Sequence, residues 1–222
     1  MISAYYDIIL ENPYGEVVKH LSFPSRTFVR NFMKLLQGLF SVRGGTSLDT
    51  MDVVTFADDV VKEDGSTVDV WTEWYAGDIY YYGGGSSMGV NAPEGDDSYG
   101  IIVGKGTKDF SYDDYSLDAK ISHGTGADQL NYGAMTVNPP YVDTARTPPV
   151  GVVKLVRPFI NQSGYDVTVA EVGLVARSYW KDDTYVRQDV KYLIDRNILP
   201  SSVTIPNNYT LTVILNIEIT LG

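Results

Sequence analysis

Apolar and polar positions alternate most strictly over 210–221. Leu211, Val213, Leu215, Ile217, Ile219 and Leu221 hold the odd positions, and every even position but Ile214 is polar or hydroxylated. A two-residue period of this length predicts a half-buried strand with one face on a core. Val152, Val153, Leu155 and Val156 predict another strand, as do Val167, Val169, Val172, Leu174 and Val175, and more briefly Tyr192, Leu193 and Ile194. The block 149–222 therefore reads as strands that pair with one another. β-Branched residues dominate it, as a pleated surface prefers.

Toward the N-terminus, 5–10 reads as a strand and Asn12-Pro13-Tyr14-Gly15 as a turn. Residues 16–23 read as the hairpin partner, with Val17 or Val18 and Leu21 facing inward. The period then changes. Phe28, Val29, Phe32, Met33, Leu35, Leu36, Leu39 and Phe40 recur at spacings of three and four. This predicts an amphipathic helix over 25–40 with Ser25 as its N-cap and Gly44-Gly45 as its stop. Its apolar stripe is expected to pack on the sheet of its own subunit; the competing reading has part of it plug a neighbouring subunit.

Strands are expected at 52–56 and 67–75 around the turn Glu63-Asp64-Gly65-Ser66. Residues 79–82 follow. The glycine run at 83–85, continuing through 91–97, reads as a long exposed loop. Gly100-Ile101-Ile102-Val103-Gly104 reads as a buried strand and 130–137 as another. A Pro-rich connection over 138–149 leads into the C-terminal block.

Composition narrows the function. The 222-residue chain is long enough to bury a core without metal or disulfide, and it has no cysteine. That removes thiol nucleophiles and cysteine-ligated zinc. A formal net charge of -11 argues against direct nucleic-acid binding, which needs clustered Lys and Arg. No apolar run reaches the ~18 residues of a membrane span, and 1–5 lacks the basic and apolar regions of a signal peptide. Seventeen tyrosines and 21 glycines fit a β protein with many turns.

Candidate chemistry is thin. Gly100-x-x-x-Gly104-Lys105 departs from a phosphate-binding loop in spacing, and Gly106 stands where that loop has Ser or Thr. A tight β-turn is the expectation. His20 and His123 are too few for a zinc site, and His123 is expected at a turn or strand end. The acidic pairs Asp58-Asp59, Asp96-Asp97, Asp113-Asp114 and Asp182-Asp183 read first as solvated loop charge. Glu94, Asp96 and Asp97 form the calcium alternative. Glu171 is expected at a strand end as a solvated edge charge, or paired with Arg177 or Arg196. Trp71, Trp74, Tyr75, Tyr80, Tyr81 and Tyr82 suit core packing and subunit contact, with sugar stacking as the alternative. No residue is singled out as catalytic, cofactor-binding or metal-ligating.

One resemblance adds to this. Its pieces stand in order at 100–107, 114–117, 121–126 with 129–132, 161–164, 169–174, 193–196, 203–206 and 209–213. Together they resemble a family of structural proteins of tailed bacteriophages and related viruses. Asn207-Asn208 stands where that pattern carries glycine, and 176–191 is longer and more charged than the pattern. The resemblance implies a C-terminal β-sandwich and no enzymatic activity.

The expectation is a single, mainly β domain over 1–222: an antiparallel β-sandwich, jelly-roll or Ig-like, with one amphipathic helix near the N-terminus. Residues 1–45 form a hairpin–helix segment, and 100–222 is the family-like region. The expected role is that of a virion structural protein in capsid, neck or tail. Its partners would be other virion proteins and copies of itself as a homo-oligomer, with no direct nucleic acid and no membrane. A receptor- or carbohydrate-binding module on the particle surface is the alternative.

Overall fold

The computed structural model describes residues 2–25, 27–40, 42–44, 53–71, 89–181 and 187–221. Thirteen strands and one helix run in the order β1 (Ile2–Glu11), β2 (Val17–Ser25), α1 (Arg30–Phe40), β3 (Val42–Gly44), β4 (Val53–Val61), β5 (Thr67–Trp71), β6 (Gly100–Gly104), β7 (Asn131–Tyr132), β8 (Thr136–Val137), β9 (Tyr141–Asp143), β10 (Val150–Ile160), β11 (Val167–Lys181), β12 (Arg187–Ile205) and β13 (Thr210–Thr220). The protein is mainly β, and every strand pairing is antiparallel.

The larger sheet runs β2-β1-β13-β10, with β7, β8 and β9 along the far edge of β10. A second sheet is β12-β11-β6, and a third is β3-β4-β5. Alternation sets the face of each residue. Tyr6 lies beside Leu215, and Leu215 beside Leu155; Ile8 lies beside Val213, and Leu10 beside Leu211. Those side chains are at most 5% exposed and share a core with Ile101, Val103, Val172, Leu174 and Leu193 of the second sheet. Burying each large apolar side chain contributes about 1.5–3 kcal/mol. The opposite face is mixed. Val152, Asn216 and Glu218 are buried there, where Arg146 reaches back from the loop after β9 and takes both oxygens of Glu218 at 2.8 and 2.9 Å.

Several expectations change. The helix predicted over 25–40 is not matched; α1 starts at Arg30, and Ser25 ends β2 instead of capping a helix. The intervening chain is held extended against β12. The Val29 N–H donates to Ile194 O, the Arg196 N–H donates to Thr27 O, and Phe28 bridges Asp195. Three residues are thereby taken out of helical geometry. The helix packs on β4 and β12 of its own chain, burying Leu35, with Val29 buried just ahead of it; Met33 is exposed.

Val17 and Val18 are both exposed, because a bulge at Leu10/Glu11 shifts the hairpin register; Leu21 faces inward as expected, with Lys19 and Phe23 on the same face. The expected strand over 130–137 is two short pieces, β7 and β8. The expected short strand at 192–194 is part of the 19-residue β12. The C-terminal strands do not pair only with one another, since β13 lies between β10 and the N-terminal β1. Residues 79–88 lie outside the described residues.

The outer strands of the first two sheets are in part covered or guarded. Residues 119–121 bond along β6, and 27–29 along the middle of β12. β2, the outermost strand of the larger sheet, carries Lys19 and Pro24. Lysine and proline discourage strand addition.

Candidate functional site

Among the described residues, buried charge falls in the Arg146–Glu218 pair already described and in three further clusters, each of which fastens a loop or crossover to a sheet.

The first is built on Glu171. A bulge after Val169 turns this residue to the outer face of the second sheet, beneath the chain that follows β6. Its Oε1 accepts the N–H groups of Gly106 (3.0 Å) and Ala119 (2.8 Å). Its Oε2 accepts the Asp118 N–H (3.1 Å) and Arg196 Nε (2.9 Å). Arg196 then donates to Asp114 at 2.8 Å and to Lys108 O at 2.9 Å. Burial opposes the charge on Arg196, but the hydrogen bonds it donates to Asp114 and Glu171 raise its pKa overall. A Cβ at Gly104 would lie 2.5 Å from Glu171 Oε1, and one at Gly106 closer still. Gly106 of that glycine stretch, with Asp118 and Ala119 further on, thus supplies a cradle of backbone N–H groups. It holds the protein's own carboxylate, as such concavities hold external anions. Leu117 seals the loop over Gly173, where a Cβ would meet Leu117 Cδ2 at 2.9 Å.

The second cluster faces the other way. Asp195, next to Arg196 in β12, points at the larger sheet and is fully buried. It accepts Tyr6 Oη (2.7 Å), Ser25 Oγ (3.0 Å), Thr27 Oγ1 (3.4 Å) and Asn197 Nδ2 (3.0 Å), all neutral groups. Burial pushes its carboxyl up, and these four bonds only partly offset that. A carboxyl raised in the folded state makes the fold lose stability as pH climbs from the ordinary carboxylate value through the raised one. Asp195→Asn removes that titration. The stability of D195N minus that of the wild type is therefore expected to increase with pH across this window and level off above it. Urea midpoints of both proteins between about pH 4 and pH 8 measure it. A gap that is constant, or that shrinks with rising pH, refutes the assignment.

Arg157 is the third. Alternation places it on the inner face of β10 between Leu155 and Phe159, and it is fully buried. Among the described residues no carboxylate forms an ion pair with it. Nε donates to Gly133 O at 3.0 Å, and Nη1 to Tyr99 O and Ile101 O at 2.8 and 2.9 Å. Nη2 donates to Pro93 O at 3.4 Å and to Asp96 O. The guanidinium also lies 4.8 Å from the Tyr132 ring centre. Burial lowers its pKa, against the attraction of Tyr132 and Asp96. One side chain thus pins 93–101 and 133 to the larger sheet.

The residues singled out in the sequence separate accordingly. Glu171 is neither solvated nor at a strand end; it pairs with Arg196, while Arg177 pairs with Asp189 at 2.7 Å. Residues 91–97 are not a free loop, since Ala92 is buried and Arg157 holds the backbone. Asp96 caps Ser98 through its N–H (2.8 Å) and hydroxyl. Burial raises the Asp96 pKa, but these bonds carry it below the usual value. Asp97 accepts the His123 N–H at 2.6 Å. Glu94 does not join them in a three-ligand group; among the described residues no three His, Asp or Glu converge. His123 sits at a turn, accepting the Tyr132 N–H at 3.1 Å, and exposed His20 lies 3.1 Å from Asp7. Asp113 pairs with Arg30 on the surface, whereas Asp114 is drawn into the Arg196 cluster. The carbonyl of Asp59 accepts Lys34 Nζ. The side chains of Asp58 and Trp71, and residues Trp74, Tyr75, Tyr80, Tyr81, Tyr82, Asp182 and Asp183, lie outside what the structure describes.

Among the described residues, every buried side-chain nitrogen and oxygen has a hydrogen-bond partner. The buried charges are therefore fully engaged in holding chain to chain. That arrangement defines an antiparallel β protein with internal ionic clamps. No protein-family model, curated protein or solved structure matches the chain. No helix among the described residues is long and apolar enough to cross a membrane.

Proposed function

We propose that this chain is a structural component of a tailed-phage or related virus particle, a sandwich-type subunit of capsid, neck or tail. It works by subunit contact, with copies of itself and with other virion proteins. It needs no direct contact with nucleic acid, no membrane and no catalysed reaction.

The observation that carries this reading is an uncovered stretch of the larger sheet's apolar face. Leu211, Val213 and Leu215 are fully buried, yet Ile219, four residues further on the same face, is 46% exposed. The row through it, Val142–Gly151–Ile219–Ile2, continues the core face past the second sheet. Contiguous apolar surface of this kind marks contact sites. The ordered resemblance over 100–213 supplies the particle, and guarded edges favour contact through faces over strand addition.

Mass spectrometry and electron microscopy of purified particles of the encoding virus test it. The chain is expected in fixed stoichiometry at symmetric positions. Absence from purified particles, or measured turnover of a substrate by the isolated chain, would refute the proposal.

A further inference from the structure

We propose that the uncovered end of the larger sheet is the contact between two copies of this chain, related by a two-fold axis. The inference rests on the assembly reading above and adds the face and the partner.

Register defines the patch. Antiparallel partners share a face, so Val142, Gly151, Ile219 and Ile2 form one row on the side of Tyr6 and Leu155. Val137 stands opposite Leu155 and belongs to the same face. Leu221 lies over Gly151, its Cδ1 3.8 Å from where a Cβ would stand. Ile2, Val142, Ile219, Val137 and Leu221 are 61, 53, 46, 45 and 42% exposed. Partly buried Val153 and Ile217 connect them to the core.

Area and charge name the occupant. These side chains expose on the order of 400 Å² of apolar surface, within the range of the largest patch on a monomer, which is often functional. A standard interface buries about 800 Å² per partner, a little over half of it apolar. The patch is therefore large enough to form the apolar centre of such an interface. It also carries no ionisable side chain, on a chain of formal net charge -11. Two identical acidic chains repel wherever charged surfaces meet, since a two-fold axis brings like beside like. A neutral, apolar patch is self-complementary and escapes that penalty.

Sedimentation equilibrium of the full chain tests this, alongside Ile219→Lys and Val142→Lys. Both positions are about half exposed, so the substituted chains should keep the wild-type circular dichroism and melting behaviour. The wild type is expected to be dimeric at micromolar concentration. A two-fold contact counts each lysine twice, so either variant should weaken association by at least about 100-fold. A monomeric wild type overturns the inference and assigns the patch to another partner. An oligomer unaffected by both substitutions overturns it as well, since the copies then meet elsewhere. In either case, finding the chain in purified particles leaves the assembly reading standing.

Discussion

Glu171→Ala is expected to lower the stability of the protein by about 3–5 kcal/mol, the cost of breaking a buried ion pair from one side. Three backbone N–H groups, from Gly106, Ala119 and Asp118, lose their acceptor together, and Arg196 keeps only Asp114 and Lys108 O. For a chain of this length each kcal/mol moves the melting temperature by about 2–4 °C, so a drop of about 10 °C is expected. The atoms removed beyond Cβ are a methylene and a carboxylate, the heavy atoms of acetate. Acetate should therefore restore part of the loss, where chloride at equal ionic strength does not. Differential scanning calorimetry in the two salts measures both effects. A loss under about 1 kcal/mol would mean that the N–H cradle relaxes onto water and that Glu171 is not its anchor.

Arg157→Met should cost about 3–5 kcal/mol for a different reason. Methionine fills most of the volume and adds no charge, but five carbonyl oxygens lose a donor, those of Gly133, Tyr99, Ile101, Asp96 and Pro93, of which Pro93 keeps the Asp96 N–H. Lysine offers a more compact donor group without the planar fork, so Arg157→Lys should recover only part of the loss. Amide hydrogen exchange locates the damage. Protection should fall in 93–101 and around 133 well before it falls in β11 and β12. Uniform loss across both sheets would show that Arg157 acts on the whole core and not as a pin for one loop.

How much of this the sequence carries differs from one element to the next. Alternation placed β1, β10 and β13, because side chains with a two-residue period and one buried face leave a direct trace. It carried Arg157 as well, at the parity of Val153, Leu155 and Phe159. A charged residue in phase with a core face signals a buried network. β12 was obscured by Asp195-Arg196, whose charges interrupt Leu193-Ile194 and Ile198-Leu199; they are interior charges on opposite faces, not a break between strands. The start of α1 was not legible at all. Local periodicity favours a helix from Ser25, and only the pairing of 27–29 with β12, some 165 residues away, overrides it. The calm order of 91–97 is likewise invisible locally, since a distant arginine imposes it. The glycines at 104 and 106 were read as a turn, but the spacing could not reveal that Glu171 fills the hollow.

The place of β13 in the larger sheet has a consequence for biosynthesis. β13, which joins β1 to β10, leaves the ribosome after all the other described strands, so the N-terminal hairpin must wait for it with one edge and one apolar face bare. Contacts this distant close slowly. The larger sheet therefore closes only after β13 has emerged, and its apolar face is exposed to aggregation until then. Rapid production of many copies would make that waiting period the step at which a chaperone governs yield.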